Sequence, residues 1–292
     1  MTSLSWYICL AAIGPIIAAY SIYKKRYIYK VSTLIVFYLF TAAITWFGEF
    51  TVLGLFDSYA YKPGLFSDPW AENLFAHLLL NTTMFPSAAI LMQAYSLGYW
   101  GMSLITALFV FAEYLFVRLG IYEQHWWNYC FSAINVVAFL TISGKWFAHV
   151  RNATRRIPRF LTFYFVGFII IHTPAPILLL MSKQYYKLDV VNDFVGNTCR
   201  SSIIIIFSYH MVEVLLLVTF VSILGKWYWK LVPFIIAIAG HSMLARLNIM
   251  VLLNGWKLIY TLTLYVICLT IFIFIEKYTL RPDQKRSNKG TV

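Results

Sequence analysis

Eight ionisable side chains stand inside or at the edges of long apolar stretches of this 292-residue chain: Glu49, Glu113, Arg118, His172, His210, Glu213, His241 and Arg246. A charge in hydrocarbon costs at least about 2.5–3.5 kcal/mol on the mildest insertion scale, so such residues turn toward a bundle interior or water. Together they form a candidate buried polar network. His210 and Glu213 are three residues apart and share one face of a helix. Carboxylate–histidine metal sites in helical bundles use this spacing, and His172 or His241 would add an imidazole. A satisfied polar contact between helices is the more ordinary outcome for one such pair, so no metal, cofactor or catalytic residue is assigned from sequence. Glu113 and Arg118 are five apart, a rotation of about 140° at 3.6 residues per turn, which turns them away from each other. The partner of Glu113 is then expected on another helix. Arg246 is the economical choice, with Glu213 as the other carboxylate open to that arginine. Arg118 lies close enough to its span end to snorkel outward, whereas Arg246 is expected about 10 Å deep. His77 is read as shallower, reaching the interface.

Pro174 and Pro176 in His172-Thr-Pro-Ala-Pro remove N–H donors and crowd the preceding turn, which predicts a kink or a short unwound stretch. Structural kinking is the first reading; a small outward-facing cleft is the second. HExxH, GxSxG, a Walker loop and the paired aspartates of lipid-processing enzymes do not occur. The cysteines at 9, 130, 199 and 268 have neither disulfide nor metal-ligand spacing.

The elements that must position these residues follow from composition. Hydrophobic residues make up 61% of the chain and charged residues 12%, with a mean hydropathy of +0.73. This excludes a soluble enzyme, a nucleic-acid-binding domain and a disordered scaffold, and it identifies a polytopic membrane protein whose surroundings are the lipid bilayer. Windows of about 20 apolar residues place nine spans at roughly 4–23, 31–56, 72–95, 99–120, 128–148, 160–182, 201–223, 231–253 and 257–276. Sixteen of the 23 basic residues then fall on one face, among them Lys24, Lys25, Arg26, Lys30, Arg151, Arg155, Arg156, Arg159, Lys226, Lys230 and Lys277. Five fall on the other, so the positive-inside rule sets the N-terminus outside and the C-terminus in the cytoplasm. The first span reads as a retained anchor, because no positive charge precedes it. The tail 281–292 is basic and suits contact with an anionic leaflet. Sequons at Asn81 and Asn152 fall in a span and on the inner face, where glycosylation is not expected.

The sequence also repeats itself. Tyr61-Lys62 recurs as Tyr186-Lys187, Gly98 and Trp100 as Gly225 and Trp227, Arg118-Leu119 with Ile121 as Arg246-Leu247 with Ile249, and Trp127 as Trp256. The offsets run from 125 to 129 in unbroken order. The expected architecture is therefore all-α integral membrane, with an N-terminal helix (1–28), two parallel four-helix repeats (29–150 and 151–280) and a basic tail (281–292). An even number of spans per unit implies a pseudo-two-fold axis along the membrane normal.

From Phe85 to Phe147 the first unit resembles an uncharacterised family of small multi-pass membrane proteins from spore-forming Gram-positive bacteria. The resemblance rests on Phe85-Pro86-Ser87, on Glu113 before Arg118-Leu119-Gly120-Ile121-Tyr122, and on Trp126-Trp127-Asn128. Ala245-Arg246-Leu247 and Asn254-Gly255-Trp256 echo it in the second unit, which departs from it at His241 and Glu213. It implies a bacterial cytoplasmic membrane location and two fused units, and it carries no assigned activity. The expected function is a non-enzymatic membrane protein of assembly, sensing or sporulation type. The alternatives are a small-solute or ion transporter on the duplicated unit and a membrane-embedded lipid or isoprenoid enzyme. Protein partners are not specified by the sequence.

Overall fold

The computed structural model describes residues 2–151, 156–224 and 226–280. Gly225 of the recurring pattern, the sequon at Asn152, Arg155 and the tail 281–292 with its expected leaflet contact lie outside the described residues, as does the side chain of Arg156. Among the described residues nine helices are long and apolar enough to cross a membrane. In chain order the elements are α1 (Ser3–Lys25), α2 (Val31–Glu49) running on as a π-helical turn (Phe50–Leu55), β1 (Tyr59–Tyr61), α3 (Pro69–Leu80), α4 (Met84–Ala94), α5 (Gly98–Arg118), β2 (Tyr122–Gln124) and α6 (Tyr129–Arg151). There follow α7 (Arg156–His172), α8 (Pro174–Leu180), β3 (Gln184–Tyr186), α9 (Asp189–Val195), α10 (Thr198–Val218) with a π-helical turn (Thr219–Ile223), a 3₁₀ turn (Trp227–Leu231), α11 (Val232–Arg246), β4 (Met250–Leu252) and α12 (Leu258–Tyr278).

Most span boundaries fall within a few residues of the hydropathy windows, and the exceptions have local causes. The third span is two helices, because Thr82 turns its hydroxyl back onto the Leu78 carbonyl (2.6 Å) and Pro86 follows without an N–H. The sixth breaks at Thr173, where Pro174 opens α8. The eighth ends at Arg246, about seven residues early. Asn248 there takes a left-handed conformation (φ 56°), and the remaining apolar residues form a strand instead of two more helical turns.

Four three-residue strands therefore qualify the all-α expectation. β1 pairs antiparallel with β2, Tyr61 opposite Tyr122, and β3 with β4, Tyr186 opposite Met250. Each pair continues into the same loop bond, Lys62 N–H to the Ile121 carbonyl and Lys187 N–H to the Ile249 carbonyl, both 2.9 Å. A tryptophan follows each returning strand and donates its indole N–H five residues ahead, Trp127 to Ser132 (2.7 Å) and Trp256 to Thr261 (2.9 Å). Successive spans reverse direction, so both pairs lie at one end of the bundle, opposite Lys24, Arg151, Lys226 and Lys277.

α7 runs through the centre, packed by α2, α10 and α12. Aromatic rings fill this seam: Phe40 stacks on Trp146 (5.3 Å), Phe47 meets Phe168 (4.7 Å), and Phe50 stacks on Phe207 (3.9 Å). Gly167 permits the approach, since a Cβ there would lie 3.0 Å from Val214 and 3.1 Å from Phe272. α1 lies along α4, its Gly14 set so closely that a Cβ would stand 2.8 Å from the Thr83 carbonyl oxygen. Large apolar side chains such as Ile16, Leu104 and Phe274 are exposed on the outside, as a lipid-facing surface requires.

The strand-pair end is held by single side chains that serve backbone. Ser202 of α10 is fully buried, accepts from the Tyr186 N–H (2.9 Å) and donates to the Tyr186 carbonyl (2.7 Å). Ser202→Ala leaves both groups without that partner, and the expected loss is about 1–3 kcal/mol. Thermal unfolding in detergent followed by tryptophan fluorescence checks this against Thr270→Val, an exposed hydroxyl on α12 that bonds within its own helix.

Candidate functional site

Two polar sites lie inside the bundle, one in each half. The first is a cavity of about 440 Å³ bounded by α1, α2, α4, α5, α6 and the first strand pair. Its lining on α5 runs from Ile105 to Phe116, about 16 Å at 1.5 Å per residue. Most of the wall is aliphatic or aromatic, and the polar groups gather under the strands. Glu49 sits where α2 passes into its π-helical turn, a distortion that often accompanies functional residues. Its Oε2 accepts from the Tyr59 hydroxyl (2.7 Å); its Oε1 is buried without a hydrogen-bond partner, 4.0 Å from His77 Nδ1. Glu113 Oε1 accepts from the Gln124 side chain (2.8 Å). Tyr59, Tyr61 and Tyr122 close the end of the cavity as a cluster, with ring centroids 5.2–5.5 Å apart. Burial, reinforced by the Glu49 charge, pushes the Tyr59 and Tyr61 phenols well above their ordinary range. Tyr122 is raised too, by burial first and then by Tyr61 and Glu113. All three therefore remain hydroxyl donors.

Among the described residues no Lys, Arg or His lines the cavity. α1 and α5 face each other across it with at most slight direct contact. Ile13 (43% exposed) and Leu108 (57% exposed) belong both to the lining and to the outer surface, which places an opening on the lipid-facing flank.

The second site is closed. His172, His210 and His241 are each wholly buried and Glu213 nearly so. The break at Thr173 leaves His172 at the end of α7, where its Nδ1 lies 3.1 Å from His210 Nδ1. His210 Nε2 is 3.7 Å from Glu213 Oε2. His241 donates from Nδ1 to the Ala237 carbonyl one turn back on α11 (2.9 Å). The Tyr265 ring packs on His241 (3.9 Å between centroids) and on His210 (5.4 Å). Donor atoms of His210, Glu213 and His241 all lie within 4.8 Å of one another, the one group among the described residues close enough to hold a metal ion. Trp46 stands between the sites, edge-on to His77 (4.2 Å) and to His172 (4.9 Å).

Six of the eight residues singled out from sequence thus fall into two separate groups, Glu49 with Glu113 and His172 with His210, Glu213 and His241. Arg118 and Arg246 join neither. Each is the exposed last residue of its helix, and Arg118 Nε donates to its neighbour Tyr114 (3.1 Å). The expected pairing of Arg246 with Glu113 or Glu213 is not formed. α11 ends at Arg246, so the guanidinium is not deep, and Glu113 is served by Gln124 instead. His77 also corrects its reading: it is 3% exposed and receives the Asn81 amide at Nδ1 (3.1 Å). Asn73, His77 and Asn81 recur every fourth residue, a polar stripe on an apolar segment that marked this face. The tyrosine cluster gave no comparable signal, since strands of three residues leave no periodicity to read.

Comparison with protein-family models, curated proteins and solved structures finds no match to this chain.

Removing the Tyr59 hydroxyl should expose how much Glu49 relies on it. Tyr59→Phe is expected to destabilise the protein by about 1–3 kcal/mol, as a buried acceptor loses its donor. Adding Glu49→Leu should recover part of the loss, because the unsatisfied group is then gone. A double-mutant cycle in detergent unfolding measures both.

Proposed function

We propose that this protein binds a lipophilic cation, an apolar body carrying one positive charge, in the cavity of its first half, and that it serves the movement of such a solute through the membrane. The observation that carries this reading is the combination of Glu49 and Glu113 with a largely apolar wall that, among the described residues, contains no basic side chain. A carboxylate in such surroundings must share its site with a proton or a cation, because an isolated charge there is very costly. The tyrosine cluster supplies ring faces, which attract a cation within about 6 Å of their centroids. The flank opening at Ile13 and Leu108 suits a ligand that arrives from the bilayer. This favours the transporter class over a purely structural role, since a packing role does not require an open cavity.

The proposal includes the architecture in which the site sits. We read 29–150 and 151–280 as tandem units related by an axis along the membrane normal, preceded by α1. The matched loop bonds of Lys62 and Lys187 and the matched indole bonds of Trp127 and Trp256 support it. On this reading Glu113 and His241 occupy corresponding places, and the units have diverged into an open cavity and a closed cluster. The basic end is cytoplasmic, in the membrane of a bacterium.

Tetraphenylphosphonium is the probe for the site. Equilibrium dialysis against detergent-solubilised protein should show saturable binding that weakens as pH falls. Glu113→Gln or Glu49→Gln should weaken it at least about tenfold, the effect of losing roughly 1.4 kcal/mol. Equal binding of a neutral amphiphile of similar size, with both variants silent, overturns the proposal. Orientation is tested separately. Asp193→Cys at the strand-pair end should react with an impermeant maleimide on intact cells and Lys226→Cys at the basic end should not; the reverse pattern inverts the topology.

A further inference from the structure

The structure assigns a second, independent site: we propose that His210, Glu213 and His241 bind a divalent transition-metal ion of the zinc type inside the second half, with His172 as the residue that orients His210. Donor types come first. Two imidazoles and a carboxylate form a set that zinc accepts as three protein ligands with a further position open, and that other first-row metals share. The donors come from two helices. His210 and Glu213 share one face of α10, and α11 brings His241 against them.

One hydrogen bond sets the tautomer of His241, and the contact between His210 and His172 accommodates the metal-binding tautomer of His210. His241 gives its Nδ1 proton to the Ala237 carbonyl (2.9 Å), so its lone pair is on Nε2. His210 Nδ1 meets His172 Nδ1 at 3.1 Å. With His210 as the donor in that contact, its Nε2 also carries a free lone pair and His172 serves as acceptor. Metal-bound histidines commonly engage their other ring nitrogen in this way, which fixes the tautomer and the ring direction.

A second observation points to an occupant. His210 Nε2, His241 Nε2 and both oxygens of Glu213 are buried and have no hydrogen-bond partner. Buried polar atoms are overwhelmingly paired, and four orphans on three residues that each bring a donor atom within 4.8 Å of the others call for a shared partner. No Lys or Arg is paired with Glu213 among the described residues, whereas Glu276 at the basic end binds Arg159 (2.9 Å). With bonds of about 2.0–2.1 Å a tetrahedral ion sets its ligands about 3.4 Å apart. His210 Nε2 and Glu213 Oε2 already stand at 3.7 Å, and the whole set spans no more than 4.8 Å. Binding thus needs only a small inward adjustment of side chains. The Tyr265 ring, packed on both imidazoles, limits their other rotations.

The test uses full-length, tag-free protein in detergent, stripped with a chelator and then supplied with Zn²⁺ or Co²⁺ alone. One equivalent of Zn²⁺ should remain after gel filtration, and the Co²⁺ form should show visible d–d absorption. Glu213→Gln and His241→Gln should abolish retention. His172→Gln should weaken affinity about ten- to hundredfold while keeping one equivalent, the range typical of outer-shell partners. Glu49→Gln and Glu113→Gln, which test the cation cavity, should leave zinc retention unchanged, so the two readings fail separately. X-ray absorption of the zinc-loaded wild-type protein needs no variant to fold and should show imidazole and oxygen scattering without sulfur. Absence of retained metal, unaltered retention in folded Glu213→Gln, or a sulfur-containing shell overturns the assignment.

Discussion

Hydrocarbon offers no hydrogen bonds, so every backbone group and charge that enters it has to be satisfied from within the protein. The ends of the spans are where this demand is hardest to meet, because the last carbonyls and first N–H groups of each helix lack intrahelical partners. At the strand-pair end the chain answers with side chains turned onto backbone. Glu72 takes the N–H groups of Gly64 (2.5 Å), Leu65 (2.6 Å) and Phe66. Arg200, stacked over Trp70, gives its guanidinium to the carbonyls of Gly54 (3.0 Å) and Leu55 (2.9 Å), where the helix dipole also favours a cation. That second contact ties α10 in one half to α2 in the other. Asp68, which caps α3, receives Asn197 from the loop before α10 (3.1 Å) and makes a second tie.

The strand pairs apply the same solution and thereby fix the spacing of the helices beneath them. A strand pair joins two loops that are distant in sequence, so the helices flanking each loop cannot drift apart. In the first half α1 lies against α4 at Gly14, and α5 packs on α6, leaving the space between α1 and α5 open. Under the second strand pair the interior is occupied by side chains. Thr261 receives its indole bond as Ser132 does, but it passes its own hydroxyl proton to Gln184 (2.8 Å), which in turn donates to Tyr186 (3.0 Å). One frame thus holds an open, acidic cavity and a closed, imidazole-rich cluster. α1 walls the first in part, and side chains of α7, α10, α11 and α12 fill the second.

Hydropathy was sufficient to locate the long apolar helices because their composition is extreme. The break at Thr173 was equally legible, since two prolines within three residues leave the helix no alternative. Leu247 to Leu253 was misread for the converse reason: an apolar strand and an apolar helical turn have the same hydropathy, and only the left-handed Asn248 separates them. That one boundary moved Arg246 from the interior to the surface and removed its expected partner. His210 and Glu213 were visible as a pair because they share a helix. The arrival of His241 depends on how α11 crosses α10, which is a packing outcome with no local signature. His77 was recoverable in principle from the stripe it forms with Asn73 and Asn81.

The position of both sites near one end follows from the same constraint. A polar site close to a bundle end needs a ceiling that excludes bulk water, or its charges are simply hydrated and lose their specificity. The strands supply that ceiling with buried tyrosines: Tyr59, Tyr61 and Tyr122 above Glu49 and Glu113, and Tyr186, fully buried, near Glu213. A phenol is suited to this place because it covers with its ring and still offers one hydroxyl to a carboxylate, as Tyr59 does to Glu49. Helical segments at this depth would present side chains sideways into neighbouring spans, whereas a strand crossing the bundle end points alternate residues down into it. The three-residue strands, the least conspicuous elements of the chain, therefore close the bundle and shape the sites under it at once.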